Sequence, residues 1–199
     1  MPTARWSLLS KITSKARSSH CLSVTHDGLL LLYGGELVPR KPVDTAATGT
    51  PDESMVVKGS VHSFDLKYQS QEAKQPWVML APKSNSDVVP EPRVGATTVW
   101  EKATDSLYLW GGRGGVDMSP LGREQAGLWK GHVDYSSLNF INWERLVASN
   151  EHASPELRSY HASVAFEVTI QIFLFIAGYR IWEHRAKFTY TPDVLPLVD

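Results

Sequence analysis

Two kinds of short segment each recur three times along this chain of 199 residues, at nearly constant spacing. A Trp-x-x-Leu segment starts at Trp6, Trp77 and Trp143. An apolar run that ends in two small residues ends at Gly34-Gly35, Gly111-Gly112 and, in a degraded copy, Ala177-Gly178. One unit of this size cannot bury its own apolar faces, so consecutive units must stack on one another. The repetition therefore predicts a modular architecture, and it indicates no particular reaction.

An arginine opens each unit at a nearly fixed distance from the small-residue pair. The three arginines are Arg17, Arg93 and Arg158. From each of them to the second small residue the chain advances by 18, 19 and 20 positions, so the register of the units is closely held. A histidine follows three residues later in two units, at His20 and His161, whereas the middle unit has Ala96 there. We therefore expect the same local structure three times.

Short apolar runs bounded by turn residues predict four antiparallel β-strands in each unit. The first strand follows the arginine, and Asp27-Gly28 marks a tight hairpin turn after it in the first unit. The second strand is apolar throughout, as expected for a strand buried on both faces, and it ends in the glycine pair. A third strand fits Val61–Leu66 and Leu128–Val133, and the Trp-x-x-Leu segment supplies the fourth. The sequence predicts an all-β fold.

Four short strands per unit, with paired glycines and a repeated tryptophan, resemble the kelch repeat, whose units are the blades of a β-propeller. The resemblance covers about residues 6–178. The segment Trp110–Asp117 and the motif Arg158-Ser159-Tyr160-His161 are most similar to galactose-oxidase-like kelch proteins of fungal type, which in turn resemble plant nitrile-specifier proteins. The resemblance implies structural roles for Gly34, Gly35, Gly111, Gly112, Trp6, Trp77 and Trp143.

The number of units is small for a closed propeller, which needs roughly four to eight blades. A partial propeller is expected over residues 1–178, with units at about 6–77, 77–146 and 147–178, followed by a non-kelch tail at 179–199. An incomplete ring of about two to three blades leaves sheet edges open. We therefore expect either self-association that covers these edges or a longer parent chain, of which this sequence is a truncated part.

Composition restricts the classes of partner and compartment. The net charge is −1 and the basic residues are scattered, which disfavours a nucleic-acid partner. A single cysteine, Cys21, excludes an internal disulfide and predicts a reducing, cytoplasmic location, with a buried inert thiol favoured over a nucleophile. The apolar stretch Val168–Ala177 is about half of the ~20 residues that cross a bilayer, so no membrane association is expected. Whether the basic N-terminus targets an organelle stays open.

Two sets of residues are candidates for binding. In a closed ring, Arg17, Arg93 and Arg158 would either line the central channel and bind an anion or brace neighbouring blades through carbonyl groups. The connections 37–58 and 113–123 link the second and third strands of their units, and such loops often belong to a binding face. Arg113 and Asp117 lie in the second connection. Both loops are equally compatible with plain surface connections.

The sequence contains no recognisable catalytic set. Nitrile-specifier proteins imply an iron site with the pattern Glu-x-x-x-Asp-x-x-x-His; here Glu101 and Asp105 begin that pattern, but Leu109 stands at its third position. The histidines lack metal-binding spacing, so no metal or cofactor is expected, and His20 and His161 are interpreted as structural. We therefore expect a protein-binding kelch module rather than an enzyme. The alternative is a small-molecule-processing protein of the nitrile-specifier type, with its iron site in blades that are missing here.

Overall fold

The apolar runs of the repeat form β-strands, and the fold is all-β. The structure is a computed structural model that describes residues 3–6, 8–10, 15–38, 56–67, 77–86, 88–115, 118–147, 155–168, 171–178 and 193–196. This part of the chain contains thirteen strands and one short helix. None of its helical structure is long and apolar enough to cross a membrane.

The first unit is a four-stranded antiparallel meander. Its strands are β1 (Ser18–Val24), β2 (Leu29–Glu36), β3 (Val61–Asp65) and β4 (Val78–Ser84). Each strand pairs with the next along the chain. The hairpin turn between β1 and β2 forms at the predicted Asp27-Gly28, where the amide of Gly28 donates to the carbonyl of Thr25 at 3.1 Å. The local sequence signals therefore define this sheet.

The second unit repeats the meander with a decorated connection. Its strands are β5 (Thr97–Glu101), β6 (Ser106–Trp110), β9 (Trp129–Val133) and β10 (Phe140–Arg145). Between β6 and β9 the chain forms β7 (Arg113–Gly114), β8 (Ser119–Pro120) and the helix α1 (Arg123–Ala126). These small elements occupy the connection that the sequence singled out as a candidate binding loop.

The third unit has three described strands rather than four. They are β11 (His161–Val168), β12 (Gln171–Gly178) and β13 (Asp193–Pro196), in that order across an antiparallel sheet. The sequence predicts a non-kelch tail at 179–199, and β13 comes from this segment and pairs with β12. A short segment can supply an edge strand without a strong apolar pattern, because it pairs with only one neighbour.

The first two meanders join into one mixed, nearly closed sheet. Its strand order is β1-β2-β3-β4-β10-β9-β6-β5, and the junction is a parallel pairing of β4 with β10. The two end strands meet as well, because the hydroxyl groups of Ser23 on β1 and Thr98 on β5 lie 2.8 Å apart. The two units therefore face each other as stacked sheets as well as sharing an edge.

A shared apolar core lies between the first and second sheets. From β2 it takes Leu31 and Tyr33, and from the second sheet it takes Trp129 and Trp143. The Tyr33 and Trp143 rings meet edge to face with centroids 5.8 Å apart, a favoured geometry for aromatic pairs. The Trp143 Nε1 donates to the carbonyl of Gly59 at 2.7 Å, so its polar atom is also satisfied. This core confirms that neither unit buries its apolar faces alone.

Two sequence assignments are corrected by the structure. Trp6 was expected in a strand, but residues 3–6 and 8–10 form none, and the Trp6 side chain is 95% exposed. The small-residue pair of the third unit also shifts by one position. His20 pairs with Gly34 and His161 pairs with Gly178, so Gly178 corresponds to the first glycine of a pair rather than to the second. The second position is then Tyr179, which lies outside the described residues.

Candidate functional site

The glycine pair of each unit receives the arginine that opens the next unit. The amide of Gly35 donates to the carbonyl of Arg93, and the amide of Gly112 donates to the carbonyl of Arg158, both at 2.9 Å. A Cβ atom on Gly34 would lie 2.5 Å from the Arg93 carbonyl oxygen, which leaves no room for a side chain. The spacing of arginines and glycine pairs that the sequence shows is therefore the spacing of contacts between units.

The arginine side chains complete the same link from the other direction. The Nη1 atoms of Arg17 and Arg93 donate at 3.0 Å to the carbonyls of Gly34 and Gly111, the first glycine of their own units. In all three arginines Nε donates to the carbonyl two residues earlier. Arg93 therefore bonds to its own unit through its side chain. Its backbone carbonyl accepts a hydrogen bond from the preceding unit.

The side chain of Arg93 is buried against carbonyl groups of its own unit. Its side chain is 0% exposed, and both the Gly111 and Glu91 carbonyls accept its hydrogen bonds. Burial lowers the pKa of the Arg93 guanidinium. A channel-lining role that requires contact with a soluble anion does not fit a side chain without exposed surface. Arg17 and Arg158 are half-buried, and their binding role stays a prediction.

A chain of backbone hydrogen bonds links the residues just before or at the start of the first strand of each unit, β1, β5 and β11. The three positions two residues after the arginines, Ser19, Gly95 and Tyr160, all have left-handed backbones with φ of 56°, 63° and 56°. The amide of Gly95 donates to the carbonyl of Ser19 at 3.1 Å, and the amide of Tyr160 donates to that of Gly95 at 2.6 Å. Non-glycine residues adopt this conformation rarely and at a cost. The glycine at position 95 is the one sequence signal for this feature.

Three side chains meet at the surface beside this chain of backbone hydrogen bonds. We name them the rim cluster: Ser19, Arg113 and Tyr160. The hydroxyl groups of Ser19 and Tyr160 lie 3.3 Å apart, and Arg113 Nη2 donates to the Tyr160 hydroxyl at 3.3 Å. The guanidinium carbon of Arg113 also lies 5.0 Å from the centre of the Tyr160 ring. Tyr160 is 47% exposed. The rim cluster thus draws on all three units.

The second candidate loop supplies Arg113 to this cluster through a backbone anchor. The amide of Val94 donates to the carbonyl of Arg113 at 2.9 Å, and the amide of Arg113 donates to the carbonyl of Val94 at 3.1 Å. Asp117, the other candidate in this loop, lies outside the described residues, as does most of the first candidate loop. The start of the loop is therefore held against the residues just before β5, and this contact limits the positions that the Arg113 side chain can reach.

Two histidines, the buried His161 and the half-buried His62, lie at contacts between strands. His161 Nε2 lies 2.9 Å from the Thr97 hydroxyl, and its ring meets Trp110 edge to face at 4.8 Å. Burial, and then the charge of Arg158, lowers the pKa of His161 to about 4. His62 lies 3.2 Å from Arg17 Nη2, and burial followed by the Arg17 charge lowers its pKa to about 4 as well. Each ring therefore packs as a neutral group.

These pKa values predict that stability falls on mild acidification. The folded protein keeps both imidazoles neutral down to about pH 4, whereas the unfolded chain protonates them near pH 6.5. Between these values the unfolded state binds more protons, so the free energy of unfolding falls as the pH is lowered. We expect a lower urea midpoint at pH 5 than at pH 7. The double variant His62→Gln, His161→Gln should lose much of this dependence; an unchanged dependence would contradict the assignment.

Residues with catalytic potential elsewhere have structural surroundings. The Glu101 carboxylate accepts the amides of Ala103 and Thr104 and so closes the β5–β6 turn. Burial raises the pKa of Cys21 to about 12, which suits an inert thiol. Within the described ranges no three His, Cys, Asp or Glu side chains converge in a way that could hold a metal ion.

Comparison with known proteins leaves the fold and the rim geometry as the basis for a functional proposal. No protein-family model matches the chain. A search of curated proteins likewise finds no match. The class that the structure defines is an all-β protein of repeated antiparallel meanders.

Proposed function

We propose that this chain is a kelch-type β-propeller module that binds a protein partner through loops at the rim. The support for kelch-type units is positional. Two four-stranded meanders carry glycine pairs and tryptophans at equivalent positions, and the glycine pairs receive the arginines of the following units. The inner strands β1 and β5 meet face to face, as inner strands of adjacent blades do.

The rim cluster carries the binding proposal. Protein interfaces concentrate their binding energy in tyrosine, tryptophan and arginine side chains. Arg113 packs against the Tyr160 ring and donates to its hydroxyl, so both side chains are already ordered before a partner arrives. Ordering in advance reduces the entropy that binding must offset. A partner segment bearing a carboxylate would suit the guanidinium, which can pair with such a group in a bidentate manner.

The surroundings of the cluster fit a binding face rather than a core. Tyr160 is exposed and Ser19 is half-buried, and both keep strained backbones; such strain concentrates at functional sites. The frame beneath is rigid, because Gly95 links both neighbouring units through its amide and its carbonyl. We place the module in the cytoplasm, where its one cysteine stays reduced.

The test compares capture of partners by three forms of the chain. Wild type, the double variant Arg113→Ala, Tyr160→Ala and the control Lys102→Ala would be immobilised, and captured proteins quantified by mass spectrometry. Lys102 is exposed in the β5–β6 turn, at the opposite end of the sheet from the rim. We expect a specific partner whose capture falls about tenfold or more in the double variant and is unchanged in the control.

The rim proposal fails if every captured protein binds the double variant as well as wild type. Near-UV circular dichroism on the tryptophans checks that each variant keeps its fold. Recovery of binding in Arg113→Lys would indicate that charge alone is read, whereas loss in Arg113→Lys would indicate that the planar guanidinium is required.

A further inference from the structure

Within the described residues, no other unit covers one face of the first sheet, which is largely apolar but includes His62, and we name it the leading face. Its apolar residues on β1 and β2 are Leu22, Val24, Leu30 and Leu32. Those on β3, on β4 and just before β4 are Phe64, Met79 and Trp77. Leu22 is 51% exposed, and Val24 and Met79 are also exposed, whereas Leu32 and Phe64 are buried. Large apolar side chains exposed together on one sheet face mark a surface that is buried in an assembly.

The second sheet shows what belongs on this face. Relative to the glycine pairs, Leu30 and Leu32 correspond to Leu107 and Leu109, which are buried in the core shared with the first sheet. The same correspondence matches Trp77 to Trp143. Trp143 is buried because the first sheet covers it, whereas Trp77 contacts Phe64 and stays half-buried. The missing cover of the leading face is therefore a unit of the same kind as the first.

The third unit offers the matching surface, which we name the trailing face. On β11, His161 and Ser163 point to the second unit, where they meet Trp110 and Thr97. The alternate residues Ala162 and Val164 point away from it and are exposed, Val164 to 50%. They hold the positions that Cys21 and Ser23 hold in the first unit, where both are buried against the second unit. The trailing face is thus the surface on which a following unit would pack.

Side chains at the two open faces are matched to each other. Between the first and second units, Ser23 and Thr98 form a hydroxyl–hydroxyl hydrogen bond of 2.8 Å. The position of Ser23 is Val164 in the third unit, and the position of Thr98 is Leu22 in the first. A polar pair at the internal contact is therefore replaced by an apolar residue on both open faces. Such a pair would stabilise the contact by removing apolar surface from water.

We propose that a second copy of this chain closes the ring. The trailing face of each copy packs on the leading face of the other, and a twofold axis relates the two identical contacts. Two copies contribute six units, which lies within the roughly four to eight blades that close a propeller. The backbone chain Ser19–Gly95–Tyr160 continues across the contact, from the Tyr160 carbonyl to the Ser19 amide of the other copy. This inference rests on the repeat of the units and is independent of a partner at the rim.

The test measures the native mass of variants in which opposite charges are placed at the two sides of the proposed contact. Light scattering and sedimentation over a range of concentrations should give twice the chain mass of 22.2 kDa for wild type. Leu22→Lys alone and Val164→Asp alone should each yield monomers, because an unpaired charge is buried at both contacts. Each contact joins position 22 of one copy to position 164 of the other. The double variant Leu22→Lys, Val164→Asp therefore pairs the charges and should restore the dimer.

Controls separate docking from folding and from unspecific association. Val147→Lys changes an exposed residue after β10, outside both faces, and should leave the dimer intact. Near-UV circular dichroism should be the same for every variant, since the substituted side chains are about half exposed. A wild-type chain that stays monomeric at all concentrations overturns the proposal, as does a dimer that persists in both single variants. Failure of the double variant to restore the dimer also overturns it.

Discussion

Replacement of Gly111 by alanine is expected to destabilise the protein by about 3–5 kcal/mol, among the largest effects that a single substitution produces. The backbone at Gly111 has a φ of +70°, and an added Cβ would lie 2.6 Å from the carbonyl oxygen of Arg158. The left-handed conformation alone costs roughly 1–2 kcal/mol for a residue with a side chain. The remaining loss comes from separating the second and third units, because backbone atoms on both sides of the contact cannot yield locally.

The chain contains a matched control for this substitution. Gly115 has a nearly identical φ of +72°, but nothing lies within 4 Å of the position of its Cβ. Gly115→Ala should therefore cost only the roughly 1–2 kcal/mol of the backbone conformation. Urea unfolding monitored by tryptophan fluorescence measures both free energies of unfolding. Equal losses for the two variants would show that the glycine pair serves the turn alone and that close approach between units is unimportant.

Replacement of Arg93 by methionine is expected to cost about 1–3 kcal/mol, because it takes the Arg93 donor from the buried Gly111 carbonyl and one of two donors from the Glu91 carbonyl. These carbonyls accept from Nη1 and Nε at 3.0 and 2.9 Å, and the Glu91 carbonyl also accepts from the Tyr33 hydroxyl at 2.7 Å. Methionine preserves most of the side-chain volume, so the loss reports on hydrogen bonding rather than on a cavity. The equivalent Arg158 bonds to the Glu156 carbonyl at a more exposed site. Arg158→Met should therefore cost about 1 kcal/mol or less.

Urea unfolding of Arg93→Met, Arg158→Met and wild type at pH 7 checks this difference. Desolvation of the guanidinium opposes the gain from its hydrogen bonds, and replacement of buried charges by apolar groups is sometimes neutral. A loss for Arg93→Met as small as that for Arg158→Met would mean that the two terms cancel. The Arg93 side chain would then hold the start of its own unit in place without adding to stability.

The all-β fold, its strands and the hairpin at Asp27-Gly28 were predictable because their signals are local. Apolar runs and turn residues determine which segments extend, and the short β-strands follow them closely. The parallel pairing of β4 with β10 was not predictable, since it joins residues far apart in the chain and no sequence pattern specifies it. Trp6 shows the same limit from the other side. It carries the repeat signature, yet a strand also needs a neighbour with which to pair.

For the candidate site, the sequence identified the arginines but left their role open. The spacing between arginines and glycines is regular because a backbone contact joins these residues in each pair of units. The sequence therefore shows the spacing clearly. The Arg113–Tyr160 contact left no such trace, because the two residues belong to different units and only folding brings them together. One signal was available: Tyr160 stands at the position that Gly95 occupies in the second unit, where a left-handed backbone is required.

The links between units also determine where the chain can change length. The backbone bonds between glycine pairs and arginines join the end of a second strand to the residues before a first strand, and the described loop residues beyond the glycine pairs take no part in these bonds. Closing a loop of twice the length costs only about 0.6 kcal/mol more. The connections at residues 37–60 and 111–128 already differ in length while the frame around them is the same. Loop residues other than Gly59, whose carbonyl accepts from Trp143, and Arg113, which pairs with Val94, can therefore vary while the bonds between units stay the same.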